Sequence, residues 1–570
     1  MGGDYIITSI RQPRDPRARR VYVSRRGRDG PGRPVDPRKA LVSVTGLWWV
    51  VGVAALAGAA RWLIQRLHAE PLGHPTTAPN APTLVVKTKP LTGIPAIRNF
   101  FRTTQTPVYF VSATAFNLLG IDRWVRTFKF INYYDSFDGW HPNVFVPREQ
   151  TPRTFGSIEE IVNYLLGHKE VADLVSAHGP GKAAFLMFDA ETEQLADELD
   201  LDVAFPAAAL RHRLDSKIET TRLGNDAGVP SVPNTMGTAT TYAELVSLAR
   251  AGGLGDDLVV QTPYGDSGQT TFFIADRGAW ERHERKVAGG SLKVMKRIEP
   301  RELAIEGVIT RHGTLVGPLM AELVGFEELT PYDGGWCGDD VSPDLLTEKQ
   351  RRVARERTIA MGERLRQEGY RGYFELDFLL DADTGDLWLG ELNPRVTGAS
   401  SITNVTAVAY GDMPLFLFHL LEFMDVEYEI DVEELNERWA QVQNLDEWTQ
   451  FILKRTEDVT ERITRAPASG IWRMPEAGAL RFDRRVTDWH TVSDESEAFF
   501  LRIAGEGQYR YPGADLGILV TRGRFMNDEH ELLDRARGWI SGVKAQYASV
   551  PLDPDEPPMF EPEPFGFKIL

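Results

Sequence analysis

Residues 369–404 read GYRGYFELDFLLDADTGDLWLGELNPRVTGASSITN. Between 372 and 380 the residues alternate, with Phe374, Leu376 and Phe378 pointing one way and Glu375 and Asp377 the other. The segment 381–386, DADTGD, is turn chemistry, and Gly385 is free to take positive φ. Residues 387–393 form the return strand and place Glu391 and Asn393 on one face. Pairing the two strands about the turn sets Asp377 beside or across from Glu391, roughly 5 Å apart at Cα. Carboxylates so placed repel unless a cation lies between them. Carboxylate and amide oxygens on a rigid hairpin, with room left for phosphate, suit Mg²⁺. Arg395, two residues past Asn393, reaches the same place as a fixed positive fork. The plainer alternative is a surface hairpin with solvated acids. The acids share a face with Asn393 and Arg395 and the opposite face is apolar, which argues against it.

This stretch resembles the metal-binding hairpin of the ATP-grasp superfamily, a Gly-containing strand with an acid before Phe, followed by Glu-x-Asn-Pro-Arg. In that superfamily the first acid, the Glu and the Asn hold Mg²⁺ (or Mn²⁺) on ATP, and the Arg assists phosphoryl transfer. The resemblance therefore implies metal-ligand roles for Asp377, Glu391 and Asn393 and a catalytic role for Arg395. It also implies a nucleotide site elsewhere in the chain.

At 570 residues the chain is long enough for three or four domains with their own cores. Its net charge of −17 is uneven. Residues 1–40 hold ten Arg and one Lys against four Asp, a net of +7, which leaves −24 for the remainder. An acidic body argues against nucleic acid as a partner. The single cysteine, Cys337, excludes an intramolecular disulfide and a thiolate zinc cluster, and it reads as structural. The eleven His show no paired metal-ligand spacing.

Residues 1–39, rich in Arg, Pro and Gly, read as a disordered basic N-terminus. Residues 40–60 are 21 uncharged residues between Lys39 and Arg61, the core of an apolar helix over 40–66. That length could span a bilayer. A membrane anchor, a helix docked on the protein and a signal sequence all fit it. The Arg-rich flank should stay cytoplasmic, which would export everything after a spanning helix. An ATP-requiring body is better placed in the cytoplasm, with membrane association through 40–60 at the membrane face. Residues 67–82 are a linker.

Residues 83–205 alternate short apolar strands with amphipathic helices, an α/β pattern. It suits the Rossmann-like domain that precedes the ATP site in the resembled family. No G-x-G-x-x-G is present, so a dinucleotide is not indicated. Residues 215–234, DSKIETTRLGNDAGVPSVPN, resemble the entry to the ATP-grasp domain, which implies a phosphate contact for Lys217. Residues 258–274, LVVQTPYGDSGQTTFFI, read as strand, Gly-rich turn and strand. Glycine lets backbone N–H groups close over phosphate because no Cβ blocks the approach. About 115 residues upstream of the hairpin, this is where the family's phosphate loop falls, implying contacts by Tyr264, Gly265, Ser267 and Gly268. Many family members have Lys where this chain has Gln261, so one nucleotide contact is neutral here. Residues 292–298 match the hinge strand whose backbone reads the adenine edge, at Lys296 and Ile298, with Glu302 and Glu306 as polar candidates near the ribose.

The charged run 347–367 reads as a helix with a solvated face, and 414–424 as an apolar helix closing the core. Residues 206–425 thus make an ATP-grasp domain of two α+β subdomains. Residues 426–550 are a further α+β or barrel-like domain, helical over 431–464, and 551–570 are an acidic, Pro-rich tail. The whole is a multidomain chain of α/β and α+β units. The implied reaction is ATP-dependent coupling of a small-molecule carboxylate to an amine. Two alternatives stand beside it: a biotin-carboxylase-like enzyme acting on bicarbonate, and an inactive ATP-binding regulator. In biotin carboxylases a Glu follows the hairpin arginine by four residues. Ala399 stands there in this chain, which favours the ligase.

Overall fold

The computed structural model describes residues 6–7 and 89–552, apart from 149–152, 266–269, 333, 344, 407–411, 442–445 and 477. The apolar stretch 40–66, the linker 67–82, Ser267, Gly268 and the tail from 553 lie outside the described residues, as does nearly all of the basic segment 1–39. Among the described residues, no helix is long and apolar enough to cross a membrane.

Five short strands open the described fold: β1 (Val108–Ser112), β2 (Phe128–Asn132), β3 (Val144–Phe145), β4 (Gly181–Phe185) and β5 (Leu201–Val203). All pairs are parallel, in the order β3-β2-β1-β4-β5. Every residue of β1 and β4 is buried, as continuous apolar strands covered on both faces must be. The helices Ile158–Leu166 and Ala190–Glu198 are capped by Ser157 and Asp189 and bury their apolar stripes on this sheet. The strand order is that of a doubly wound sheet.

A four-stranded antiparallel sheet follows, built of β6 (Asn234–Thr238), β7 (Leu258–Gln261), β8 (Thr271–Ile274) and β9 (Ser291–Lys296) in the order β8-β7-β9-β6. Leu258, Val260, Ile274, Leu292 and Val294 turn to one side, against Ala249 and Trp280 of the helices Tyr242–Ala251 and Arg277–Val287. The period of two then sends Val259, Gln261, Lys293 and Met295 to the other side.

That other side meets a ten-stranded antiparallel sheet. Its first five strands are β10 (Pro300–Thr310), β11 (Gly313–Val324), β12 (Trp336–Val341), β13 (Gly372–Asp381) and β14 (Leu387–Asn393). Leu303, Ile305, Phe374, Leu376, Phe378 and Leu389 join one core with Met361 and Leu365 of the helix Glu348–Gln367. The helix Leu415–Phe423 is buried along its whole length.

The remaining strands do not stand apart. β15 (Trp448–Lys454) pairs with β12 from Val341↔Trp448 to Gly338↔Phe451. Beyond it come β16 (Gly470–Glu476), β17 (Ala479–Arg484), β18 (Glu497–Arg502) and β19 (Asp515–Arg522). The complete order is β14-β13-β10-β11-β12-β15-β19-β18-β16-β17. This is an open sheet running through the expected boundary at 425/426, not a barrel. The expected helix over 431–464 is also corrected. Among the described residues of that range only Val432–Trp439 is helical, and β15 and the strand Glu461–Arg465 follow. WTQFILK is rich in aromatic and β-branched residues and is buried on both faces, so tertiary pairing outweighs the charged flanks.

Candidate active site

The hairpin β13–β14 holds Glu375 across from Asn393 and Asp377 across from Glu391, with a bulge at the next position, where Phe378 opposes Leu389. Directly opposed residues of an antiparallel pair share a face, so all four head groups converge. Asn393 Nδ2 donates to Glu375 Oε2 and to Asp377 Oδ2, each at 3.2 Å. Its Oδ1 accepts from Arg395 Nη2 at 2.8 Å. The carboxamide thus spaces two acids and aims the guanidinium at once.

The acid row extends across the sheet. Ala304 opposes Asp377, Glu306 opposes Glu375, Glu322 opposes Asp339, and Asp339 opposes Gln450. Burial, then the facing Glu391, pushes Asp377 up to about 8. Burial also drives Glu375 and Glu322 well above the carboxylate range, with the Asp377 charge as the next cause for both. Asp339 is raised to about 7 by burial, against the opposing pull of Gln450 Nε2 at 2.8 Å and Trp336 Nε1 at 3.3 Å. These acids are held close together in a poorly solvated place, where a cation would favour their charged forms.

Lys217 begins the helix Lys217–Asp226, and its Nζ forms an ion pair with Glu391. Its backbone N–H donates to Pro263 O at 2.8 Å, tying the helix start to the entry of the Gly-rich turn. Tyr264 stacks on His212 with ring centroids 4.4 Å apart and stays 44% exposed at the cleft rim. Gly265 has φ +147°, and a Cβ there would lie 2.1 Å from Thr270 Cγ2, so only glycine fits. Ser267 and Gly268 lie outside the described residues.

Between the four-stranded sheet and the hairpin is an apolar cluster. Val232, Val259 and Met295 form its buried part, and Ile298, Leu379 and Trp388 pack against them, only partly buried. Ile298 therefore joins the cluster with its side chain. The N–H of Lys296 donates to Pro233 O at 3.0 Å, so a contact to a base edge at that residue falls to its carbonyl. Glu302 opposes Leu379 beside the cluster, and burial raises it to about 7. Glu306 does not fit the ribose contact expected of it. It is fully buried and accepts from Tyr373 Oη, Thr397 Oγ1 and Ser400 Oγ, so it braces the turn after Arg395. Gln261 donates to Thr271 Oγ1 at 3.0 Å, and its Oε1 is buried without a protein partner. Cys337 is buried, donates to Leu323 O at 3.1 Å, and is pushed up to about 12 by burial, as a structural thiol should be.

Sequence reasoning missed Lys293, Glu322 and Asp339 as parts of this cleft. Alternation in LKVMK puts Lys293 on the face of Met295 without saying what that face meets. Although Glu375, Asp377 and Glu391 share a face, among the described residues no group of three His, Cys, Asp or Glu is arranged to hold a metal ion by itself.

No family model matches the chain, and no curated protein matches it in sequence. Solved structures do. Biotin carboxylase of Campylobacter jejuni, solved as a β,γ-ATP complex, superimposes with a TM-score of 0.54 at 12% identity, over 78% of this chain and 92% of that one. The biotin carboxylase domain of Hydrogenobacter thermophilus 2-oxoglutarate carboxylase was solved with MgADP, ADP and bicarbonate. It gives a TM-score of 0.51 at 13% identity, over 78% of this chain and 90% of that one. Such identities speak for the fold alone: the chain shares the fold of these biotin carboxylases, with a doubly wound sheet, a four-stranded sheet and an acid-bearing hairpin.

Proposed function

We propose that this protein is an ATP-dependent, ADP-forming ligase that activates a small-molecule carboxylate as an acyl phosphate and couples it to an amine. The observation that carries the reading is the convergence of Asp377, Glu391, Asn393 and Arg395 on one face of the β13–β14 hairpin, whose Leu379 and Trp388 belong to the apolar cluster around Met295. The partly buried apolar side chains suit a purine, and the polar groups beside them suit phosphates. Asp377 and Glu391, with the Asn393 carboxamide, are the residues that would hold Mg²⁺. They fit it because the two acids oppose each other with a single ammonium, Lys217, paired to Glu391, and Asp377 is buried and raised by the facing charge, which a divalent cation would relieve. When bound, that ion neutralises charge on the phosphates and polarises the transferred group.

The chain's own residues do the rest. Arg395, aimed by Asn393 Oδ1, is placed to stabilise charge on the phosphoryl group during transfer. Lys217 can exchange Glu391 for a phosphate oxygen without leaving its helix. In the first step a carboxylate oxygen attacks the terminal phosphorus as the bond to ADP breaks. In the second the amine nitrogen attacks the acyl carbon, the bond to phosphate breaks, and the amine gives up a proton.

The bicarbonate reading has less support. Ala399 is buried at the start of the helix Ser400–Thr406 and offers no base. The deciding experiment follows ADP release with Mg²⁺ and ATP against amino acids and small acids paired with amines, with bicarbonate plus biotin as one arm. ADP release that requires both a carboxylate and an amine is the expected result. Turnover with bicarbonate and biotin alone overturns the substrate class, and no ATP binding in the presence of Mg²⁺ overturns the enzyme.

A further inference from the structure

Lys293 is the most deeply buried ammonium near the cleft, with no exposed surface at all. Its strand, β9, alternates cleanly. Leu292 and Val294 enter the core under the helices, while Lys293 and Met295 face the hairpin. Across the strand pair Lys293 opposes Gln261, whose buried Oε1 has no hydrogen-bond partner among the described residues.

The only hydrogen bond of the Lys293 ammonium among the described residues is Ser231 Oγ at 3.5 Å, the outer limit for such a bond. The nearby acid whose charge it feels is Glu391, and Lys217 already holds that carboxylate. Burial, followed by the Lys217 charge, holds Lys293 down to about 7. A lysine so placed is costly to the empty protein, because neither solvent nor a salt bridge compensates it. Of the two buried ammoniums near Glu391 only Lys217 is paired with it, so Lys293 has no ion-pair partner among the described residues, and an anion reaching it would supply one.

The position of the apolar cluster says which anion. Met295 and Val259 belong to it, and Lys293 and Gln261 are the next residues facing the same way on the same two strands. Two residues along a strand cover roughly 7 Å. A base seated against the partly buried side chains of that cluster would send its ribose and phosphates toward Lys293 and Lys217.

We propose that Lys293 is a phosphate ligand of the nucleotide, acting beside Lys217 and supplying from β9 the positive charge that Gln261 does not supply from β7. The assignment rests on the nucleotide reading of the same cleft, and the test separates the two. Titration calorimetry on the full chain compares MgATP with adenosine for the wild type, Lys293→Met, and the double variant Gln261→Lys/Lys293→Met. Lys293→Met weakens MgATP by about tenfold to a hundredfold, leaves adenosine unchanged, and does not lower the melting temperature. Restoring the charge from the facing strand in the double variant recovers MgATP binding to within a few-fold of wild type. Lys293→Gln carries the same comparison should the Met side chain not be accommodated. Equal weakening of MgATP and adenosine, or no change in either, overturns the assignment and leaves the nucleotide reading standing. Wild-type protein that binds neither overturns the nucleotide reading and the assignment with it.

Discussion

Lys217 and Glu391 are 174 residues apart in the chain and form an ion pair at the centre of the cleft. The ammonium occupies one oxygen of a carboxylate whose other neighbour is Asp377. In the absence of ligand it is the countercharge that keeps the two opposed acids tolerable. Glu391→Gln removes one of those negative charges and the ion pair together. Turnover is expected to fall by about 10³-fold or more, because the interaction lost belongs to the transferring phosphates. The melting temperature should stay close to wild type, and ADP release alongside a thermal melt reads both. Asp377→Asn should raise the melting temperature by relieving repulsion, about 0.5–2 kcal/mol, while abolishing turnover. A variant at Glu391 with near-normal rates would refute the site.

Gly265 governs the entry of the Gly-rich turn. With φ +147° and a Cβ position 2.1 Å from Thr270 Cγ2, Gly265→Ala cannot keep this backbone. The KM for ATP should rise about tenfold, as expected when positioning is lost, with little loss of global stability because the turn is at the surface. Steady-state kinetics with ATP varied, set beside a urea melt, distinguishes this from a folding defect.

The hairpin was legible because all its determinants are local. The alternation around Glu375 and Asp377, the DADTGD turn and the return strand lie within about two dozen residues, and antiparallel pairing fixes which side chains face each other. Lys293 was not legible as a site residue. Its environment comes from Ser231, Gln261, Lys217 and Glu391, which are distant in sequence. Nothing in LKVMK says whether the lysine's face meets solvent or another sheet. The pairing of β12 with β15 was hidden for a related reason. Both strands are buried, and a hydrophobic run states that it is covered without stating by what. Glu306 misled because a strand acid near a ligand site looks functional, whereas Tyr373, Thr397 and Ser400 make it a brace.

His419 makes folding stability depend on pH. It is fully buried among Phe205, Phe416 and Phe423, and its Nδ1 accepts from the Tyr373 N–H at 3.0 Å. Burial, and secondarily the Arg371 charge, lowers it to about 3, against an opposing carbonyl at Ala204. Between pH 6.5 and 3 the unfolded chain binds a proton at this residue that the folded chain refuses. Its contribution is therefore complete above about pH 6.5 and is lost on acidification, at about 1.4 kcal/mol per pH unit. The buried acids Glu302, Asp339 and Asp377 are raised into the same range and contribute with the opposite sign, so the slope is read as the difference in urea stability between wild type and His419→Asn from pH 7 to pH 5. The variant, which keeps an acceptor for Tyr373, should lose about 1.4 kcal/mol per pH unit less on acidification than wild type, and parallel pH profiles would assign the dependence to another group.

Lys454 on β15 and Asp515 on β19 form an ion pair at 2.5 Å with side chains only 1% exposed. This pair lies inside the continuous sheet, beyond the strands that carry the cleft. A buried pair gains little net stability over apolar residues of similar shape, since desolvation offsets the attraction. Breaking it is another matter. Lys454→Met leaves the Asp515 carboxylate buried and uncompensated, and should cost about 3–5 kcal/mol. Asp515→Leu in the same background should recover most of that loss, because no charge is then stranded. If β15 to β19 melt as one unit with the catalytic hairpin, Lys454→Met will lower the temperature at which ATP binding is lost by the same amount as the global transition. Two separate transitions in that variant would mean that the sheet, though continuous, does not unfold cooperatively.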